Sequence, residues 1–199
     1  MPIKLNGATS GSVELDVPDV VGADVQNVLL PSTAGTLDRL ERAGNILQVV
    51  QTVKTDGYSR QGTLSDFADI TGLTVNITPT SSTSKIYLTG GITCSSGNGQ
   101  RFFLRMTRDG SVVDAYRAPT QGSRIRSFAA EFGGASGNSL RQLCVNFLDS
   151  PATTSQVTYQ IQGAAEQAQI FYCNISDANA DSTSVARGVS TLTAIEVAA

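Results

Sequence analysis

The chain has 199 residues, of which 40% are apolar and only 16% are charged, and its net charge at pH 7 is -3. This composition excludes a disordered chain and a long solvated helix, and it favours short strands joined by tight turns. Histidine is absent, so the usual general base and the commonest metal ligand are missing. We therefore expect a structural or binding protein, with no enzymatic activity, metal or cofactor. The acidic balance also disfavours nucleic-acid binding.

Residues 1–45 carry the whole net charge, because acidic and basic residues balance in the remainder. Glycine and proline recur every few residues here, which predicts an irregular N-terminal arm with one short helix at 36–43. A helix this short needs a partner surface to hold it. The arm is predicted to anchor the protein by hydrophobic docking of its apolar side chains, namely Val20, Val21, Val25, Leu29, Leu30, Leu37 and Leu40.

From residue 46 onward, short alternating segments separated by turn signals predict consecutive strands. No spacing typical of a strand–helix–strand unit occurs, so the sheets should be antiparallel. We predict an all-β domain over 46–199, an antiparallel β-sandwich of jelly-roll type. The predicted strands are 47–53, 73–78, 85–94, 101–108, 111–113, 124–132, 142–148, 157–161, 170–175 and 189–197.

Three of these strands alternate clearly enough to predict which side chains face the core. They are Leu73, Val75 and Ile77; Ile86, Leu88 and Ile92; and Phe102, Leu104 and Met106. The pair Gly90-Gly91 predicts a β-bulge within its strand. Asp109-Gly110 predicts a tight hairpin turn.

The three cysteines, Cys94, Cys144 and Cys173, lie too far apart in sequence for a C-x-x-C motif. Each stands in an apolar, strand-like context, so we predict buried free thiols. The N-terminus lacks the apolar core of a secretory signal. No apolar run is long enough for a membrane span, so membrane insertion is not expected.

Several motifs resemble catalytic or ligand sites but lack the required context. Gly97-Asn98-Gly99 is not followed by a helix, as a phosphate loop would be. Ser82–Lys85 has S-x-x-K spacing without the companion motifs of serine acyl-transfer enzymes. The carboxylate pairs Asp66/Asp69 and Asp177/Asp181 lie in loop-like segments, where solvated aspartate is the ordinary role.

Arginines are concentrated between residues 101 and 141. On a strand face they could line a glycan or phosphate groove, pair across a subunit interface, or simply face solvent. Because acidic residues balance them, interface pairing is favoured over nucleic-acid binding. The candidate interface arginines are Arg101, Arg105, Arg124 and Arg126.

The sequence also resembles a family, through segments that form turns and strand ends. They are Gly44–Gln51 with Lys54–Asp56, Ile70–Pro79 with Ser84–Ile86, Leu104–Gly110, Phe147–Pro151, Thr158-Tyr159 and Thr191–Val197. The chain is similar to virion surface proteins of tailed bacteriophages, especially those infecting cyanobacteria and other aquatic bacteria. Some members are tail fibre proteins, and others are trimeric capsid cement (decoration) proteins.

The resemblance implies a homotrimer with an N-terminal anchor and a distal β-domain, located on the virion surface and assembled in the host cytoplasm. A segment of about 45 residues is too short for a fibre shaft, which favours a capsid cement protein that docks on the major capsid protein and stabilises the capsid. The alternative is a short tail fibre or receptor-binding protein, whose partners would be a tail component and a host surface receptor.

Overall fold

The computed structural model describes residues 3–6, 12–15, 43–132 and 138–199. The chain divides into two compact units, Met1–Asp38 and Arg39–Ala199. In the first unit, β1 (Ile3–Asn6) and β2 (Ser12–Leu15) pair antiparallel. Sequence analysis predicted no strands there. All seven predicted anchoring residues, and residues 36–42 of the predicted helix, lie outside the described residues.

The second unit consists of strands joined by turns and two short 3-10 helices. Its strands are β3 (Ile46–Lys54), β4 (Tyr58–Gln61), β5 (Ala68–Ile77), β6 (Lys85–Ser96), β7 (Arg101–Arg108), β8 (Ser111–Val112), β9 (Ala129–Phe132), β10 (Arg141–Asp149), β11 (Val157–Ala165), β12 (Ile170–Cys173) and β13 (Ser190–Val197). The 3-10 helices are Gly97–Gly99 and Asp114–Tyr116.

Two antiparallel sheets form this unit, as predicted for a β-sandwich. In the first sheet, β6 is the central strand: β10 pairs along one edge, while β13 and then β12 pair along the other. β13 is in turn paired with β3, and β12 with β4. The second sheet runs β5–β11–β7–β8, with β9 also paired to β7.

The core is formed by the inward faces of both sheets. All nine side chains predicted to face inward from β5, β6 and β7 are at most 1% exposed, which confirms the alternation seen in the sequence. Around them pack apolar residues of β10, β11, β12 and β13, namely Val145, Val157, Tyr159, Ile161, Phe171, Cys173, Leu192 and Ala194. Burial of this continuous cluster between two sheets is what stabilises the unit.

The strand predicted at 124–132 is confirmed only for its last part, since β9 begins at Ala129. The preceding residues form a turn, in which Arg124 N–H donates to Gln121 O and Gly122 has φ +56°. Turn geometry therefore outweighs the apolar alternation of this segment. The short strand β4 was not predicted, because its sequence, Tyr-Ser-Arg-Gln, carries a single apolar residue.

The bulge predicted at Gly90-Gly91 is wrong, because the register of β6 with both neighbours continues through these residues. A Cβ atom at Gly90 would lie 2.1 Å from the Thr191 carbonyl oxygen of β13. Glycine is thus required here by close backbone approach. The irregularity lies instead between β5 and β11, where the register shifts between Gln160 and Gln162.

The Gln160 side chain occupies that irregularity. Its amide nitrogen donates to the carbonyl oxygens of Ile70 and Leu73 at 3.0 and 3.2 Å. Gly72 between them has φ +80°, a conformation that favours glycine. The Ile70–Leu73 part of the family resemblance is therefore a bulge whose freed carbonyls are satisfied by one glutamine.

Candidate functional site

The outer face of the first sheet has no charged side chain in the rows where β3, β13, β6 and β10 are all paired, and Lys85 of β6 lies one row beyond them. Residues directly opposite each other in antiparallel strands share a face, so the strand register defines its members. We call this surface the neutral face; its residues are Val49, Gln51, Val53, Thr191, Thr193, Ile195, Tyr87, Thr89, Gly91, Cys144, Asn146 and Leu148.

Large apolar side chains project from both edges of the neutral face. Val49 is 58% exposed, Val53 52% and Leu148 58%. Between them, Gln51 donates to the Thr193 hydroxyl at 2.8 Å, which satisfies polar groups within the face. A sheet face that is apolar at its edges and neutral throughout differs from the usual charged solvent face, and it suits contact with another protein surface.

Cys144 belongs to this face and is exposed, so the prediction that all three cysteines are buried is wrong for this residue. Its strand alternates, and Cys144 falls on the outward positions while Leu143 and Val145 point to the core. Cys94 and Cys173 are buried and free, as predicted.

The outer face of the second sheet is polar and includes two of the predicted arginines. Arg105 Nε donates to Gln162 Oε1 at 2.6 Å, and Gln162 Nε2 donates to Asp69 Oδ1 at 2.7 Å. The Arg105 guanidinium lies 4.3 Å from the centre of the Phe67 ring. Burial, together with the nearby Arg117, lowers the pKa of Arg105. Within the described residues no carboxylate forms an ion pair with Arg105.

The other predicted arginines lie in different surroundings. Arg101 pairs with Glu166 at 3.2 Å, near the end of the same strand. Arg126 donates to Ala118 O at 2.7 Å and lies 3.4 Å from Asp114, while Arg124 is exposed in the preceding turn. The structure therefore places Arg101 and Arg105 on one strand and Arg124 and Arg126 in a neighbouring loop.

A buried polar cluster connects the two sheets around Asp149, the last residue of β10. Its Oδ2 accepts hydrogen bonds from Arg108 at 2.7 Å and from the Tyr159 hydroxyl at 2.6 Å. Burial alone would raise the pKa of Asp149, but hydrogen bonds from Tyr159, Arg108 and Tyr116 lower it below its usual value. The same contact with the carboxylate, added to burial, raises the pKa of Tyr159.

Three of the segments that carry the family resemblance contribute residues to this cluster. Leu104–Gly110 contributes Arg108, Phe147–Pro151 contributes Asp149, and Thr158-Tyr159 contributes the tyrosine. Thr158 N–H also donates to Asp109 Oδ1 at 2.8 Å. These residues position strand ends and turns, which is a structural role.

A second buried carboxylate, Glu196 of β13, fixes the loop that follows β5. Its Oε1 accepts hydrogen bonds from Thr80 N–H and Thr80 Oγ1, both at 2.7 Å, and its Oε2 accepts one from Gln48. Burial raises the pKa of Glu196, but the bonds from Gln48 and Thr80 outweigh it and lower the pKa. The sequence gives no signal for this pairing, because the partners lie 116 residues apart.

The carboxylate pairs considered as acid/base or calcium candidates have separate partners. Asp66 pairs with Arg60 at 2.7 Å, and Asp69 binds Gln162. Asp177 accepts hydrogen bonds from the Tyr172 hydroxyl and from Asn98 N–H.

Over residues 43–132 and 138–199, no three histidine, cysteine or carboxylate side chains gather to hold a metal ion. In the same ranges, no helix has the length and apolar character of a membrane span.

No family model matches the chain, and neither does any curated protein. Among solved structures it resembles chains of infectious bursal disease virus: the Gt strain (17% identity, TM-score 0.38), T=1 particles derived from the virus (18%, 0.39) and the Gx strain (16%, 0.38). These matches cover 98% of this chain but only 44–46% of the viral chains, so this chain spans less than half their length. Similarity this distant identifies no shared function.

Proposed function

We propose that the protein is a structural component of a phage virion, a homotrimeric capsid cement protein whose N-terminal arm docks on the major capsid protein. The observation that carries the proposal is the neutral face. It provides an extended surface for protein contact, with exposed apolar side chains at both of its edges.

The chemistry of the neutral face favours a second copy of the chain as its occupant. Residues near the axis of a symmetric assembly lie close to their own counterparts, so charged side chains there would repel each other. The face avoids this repulsion, and burial of Val49, Val53 and Leu148 would add hydrophobic stabilisation of about 25 cal/mol per Å² of apolar area. A partner recognised mainly by charge would find no complementary groups on it.

The capsid location is supported by the sequence of the acidic segment 1–45, which contains no repeats and no heptads of the kind that build a fibre shaft. Three such arms in one trimer would bind neighbouring capsid subunits together and gain avidity.

Quantitative mass spectrometry of purified virions tests this role, with the chain measured relative to the major capsid protein. A ratio close to one copy per capsid subunit is expected. Absence of the chain from virions would overturn the virion role altogether. Light scattering coupled to size-exclusion chromatography of the isolated protein should give the mass of a trimer, and a monomer at micromolar concentration would refute self-association.

A short tail fibre or receptor-binding protein is the second candidate, and the side chains around Arg105 favour it. Arg105, Gln162 and Asp69 form a chain of hydrogen bonds, and the Arg105 guanidinium lies beside the Phe67 ring. Planar polar side chains beside an aromatic ring suit a sugar, and an arginine without a carboxylate partner suits an acidic one. A low copy number per virion, together with binding to uronic-acid-containing glycans that Arg105→Gln abolishes, would support this role over capsid cement.

A further inference from the structure

Cys94 of β6 and Cys173 of β12 lie directly opposite each other in an antiparallel ladder. The type of pair follows from the neighbouring hydrogen bond, in which Asn174 N–H donates to Thr93 O at 2.9 Å. Since residues 174 and 93 form the hydrogen-bonded pair, 173 and 94 form the adjacent non-hydrogen-bonded pair. In such pairs the Cα atoms are about 4.5 Å apart and the side chains come closest.

That spacing falls within the range of Cα separations found in disulfides, about 4.4–6.8 Å. Both side chains also point the same way, because both thiols belong to the core cluster between the sheets. The Cys173 Sγ atom additionally lies 3.5 Å from the Ser190 hydroxyl. Two thiols that lie directly opposite each other and enter the same core are therefore placed to form a disulfide.

We propose that Cys94 and Cys173 are a modification site at which a peroxide oxidant forms a cross-strand disulfide between β6 and β12. One thiol sulfur attacks a peroxide oxygen, giving a sulfenic acid and one water. The second thiol sulfur then attacks the sulfenic sulfur, forming the S–S bond and releasing a second water. The two thiols together lose two electrons and two protons, and hydrogen peroxide is reduced to water.

The burial of both thiols sets the rate of oxidation. Burial raises the pKa of the Cys94 thiol, so little of it is present as the reactive thiolate. Because both thiols are buried, the oxidant reaches them only when β12 opens locally, so oxidation is slow. β12 pairs with β4 through four residues and with β6 through three.

The consequence is a protein that folds with free thiols and gains a covalent cross-link after exposure to oxidant. The cross-link would close a long loop between residues 94 and 173, which restricts the unfolded chain strongly. This inference does not depend on the proposed virion role, because it rests on the strand register and on the burial of both thiols in the core.

The experiment uses the full-length protein with Cys144→Ser, which removes the exposed thiol and its intermolecular disulfides. The protein is treated with hydrogen peroxide, quenched, denatured and alkylated. We expect that neither thiol can be alkylated after the peroxide treatment. Peptide mapping should find Cys94 linked to Cys173. The melting temperature should rise by about 10 °C and return to its starting value on reduction.

The matched control is Cys144→Ser combined with Cys173→Ser, which retains Cys94 without its partner. It should show no intramolecular bond and no rise in melting temperature. Cys144→Ser with Cys94→Ala provides the same control from the other strand if the first control fails to fold. If folded Cys144→Ser keeps both thiols alkylatable while the urea-unfolded protein loses them, the cross-strand assignment is wrong.

Discussion

Arg108 and Asp149 form an ion pair across the two sheets, with 2.7 Å between Arg108 Nη1 and Asp149 Oδ2. The arginine ends β7 of the second sheet and the aspartate ends β10 of the first. Tyr159 bonds the same carboxylate oxygen from β11. The carboxylate therefore joins three strand ends, and its removal should affect the stability of the whole unit.

Asp149→Asn should lower the free energy of unfolding by about 2 kcal/mol, since the change leaves Arg108 without its anionic partner and weakens the bond from Tyr159. Urea denaturation followed by circular dichroism measures the effect. The matched control is Asp66→Asn, which breaks the more exposed ion pair with Arg60 and should cost less than about 1 kcal/mol. Equal effects of the two variants would contradict a special role for the buried pair.

Acid should destabilise the protein through Asp149 and Glu196. The pKa of each carboxyl is lowered in the folded state. Their stabilising contribution is therefore fully present above the unfolded pKa values of about 4 and is lost as the pH falls through the lower folded values. Melting temperatures measured from pH 7 to pH 2.5 should drop below about pH 4. Asp149→Asn combined with Glu196→Gln should flatten this dependence, and an unchanged profile in that variant would rule out these groups as its origin.

If the protein is the trimer proposed above, Val49→Lys should convert it to monomer while leaving the fold intact, because three equivalent lysines would be brought into an uncharged interface. Light scattering gives the oligomeric mass, and circular dichroism checks the fold. Asn76→Lys places the same charge on an exposed strand position of the second sheet and should leave the trimer unchanged. If only Asn76→Lys dissociated the trimer, the interface would have to lie on the second sheet instead of the neutral face.

Gly90→Ala should destabilise the protein by about 3 kcal/mol or more, because the new methyl group would meet the backbone of β13 at Thr191. Backbone cannot move aside as a flexible side chain can. Gly97→Ala is the control: its nearest contact would be the Gln169 side chain at 3.3 Å, which can rotate. Thermal unfolding distinguishes the two variants, and a tolerated Gly90→Ala would mean that β6 and β13 separate easily at this point.

The sequence predicts much of the second unit because its strands alternate. β7 has the predicted bounds, and the core positions of β5, β6 and β7 are confirmed. The alternation fails where turn geometry decides, as in the segment before β9, and where the exposed face of a strand carries no charge, as in β3. There the pattern does not distinguish a core face from a surface that contacts another protein.

The polar pairings are not predictable in the same way. Arg108 with Asp149, Glu196 with Thr80 and Gln160 with the bulge in β5 join residues that are 41, 116 and up to 90 positions apart. Local propensity carries no information on such partners. Most of these residues lie in the segments that carry the family resemblance. Only their positions in the fold show that they are hydrogen-bonding partners.

The placement of β13 has a consequence for how the chain is made. Ser190–Val197 lies between β3 and β6 in the first sheet, although β3 begins at Ile46. During translation, β3 therefore remains unpaired until β13 is complete, more than 140 residues later. Its apolar edge is available to other nascent chains throughout that interval, so slower initiation or a chaperone that covers β3 should improve the yield of folded protein.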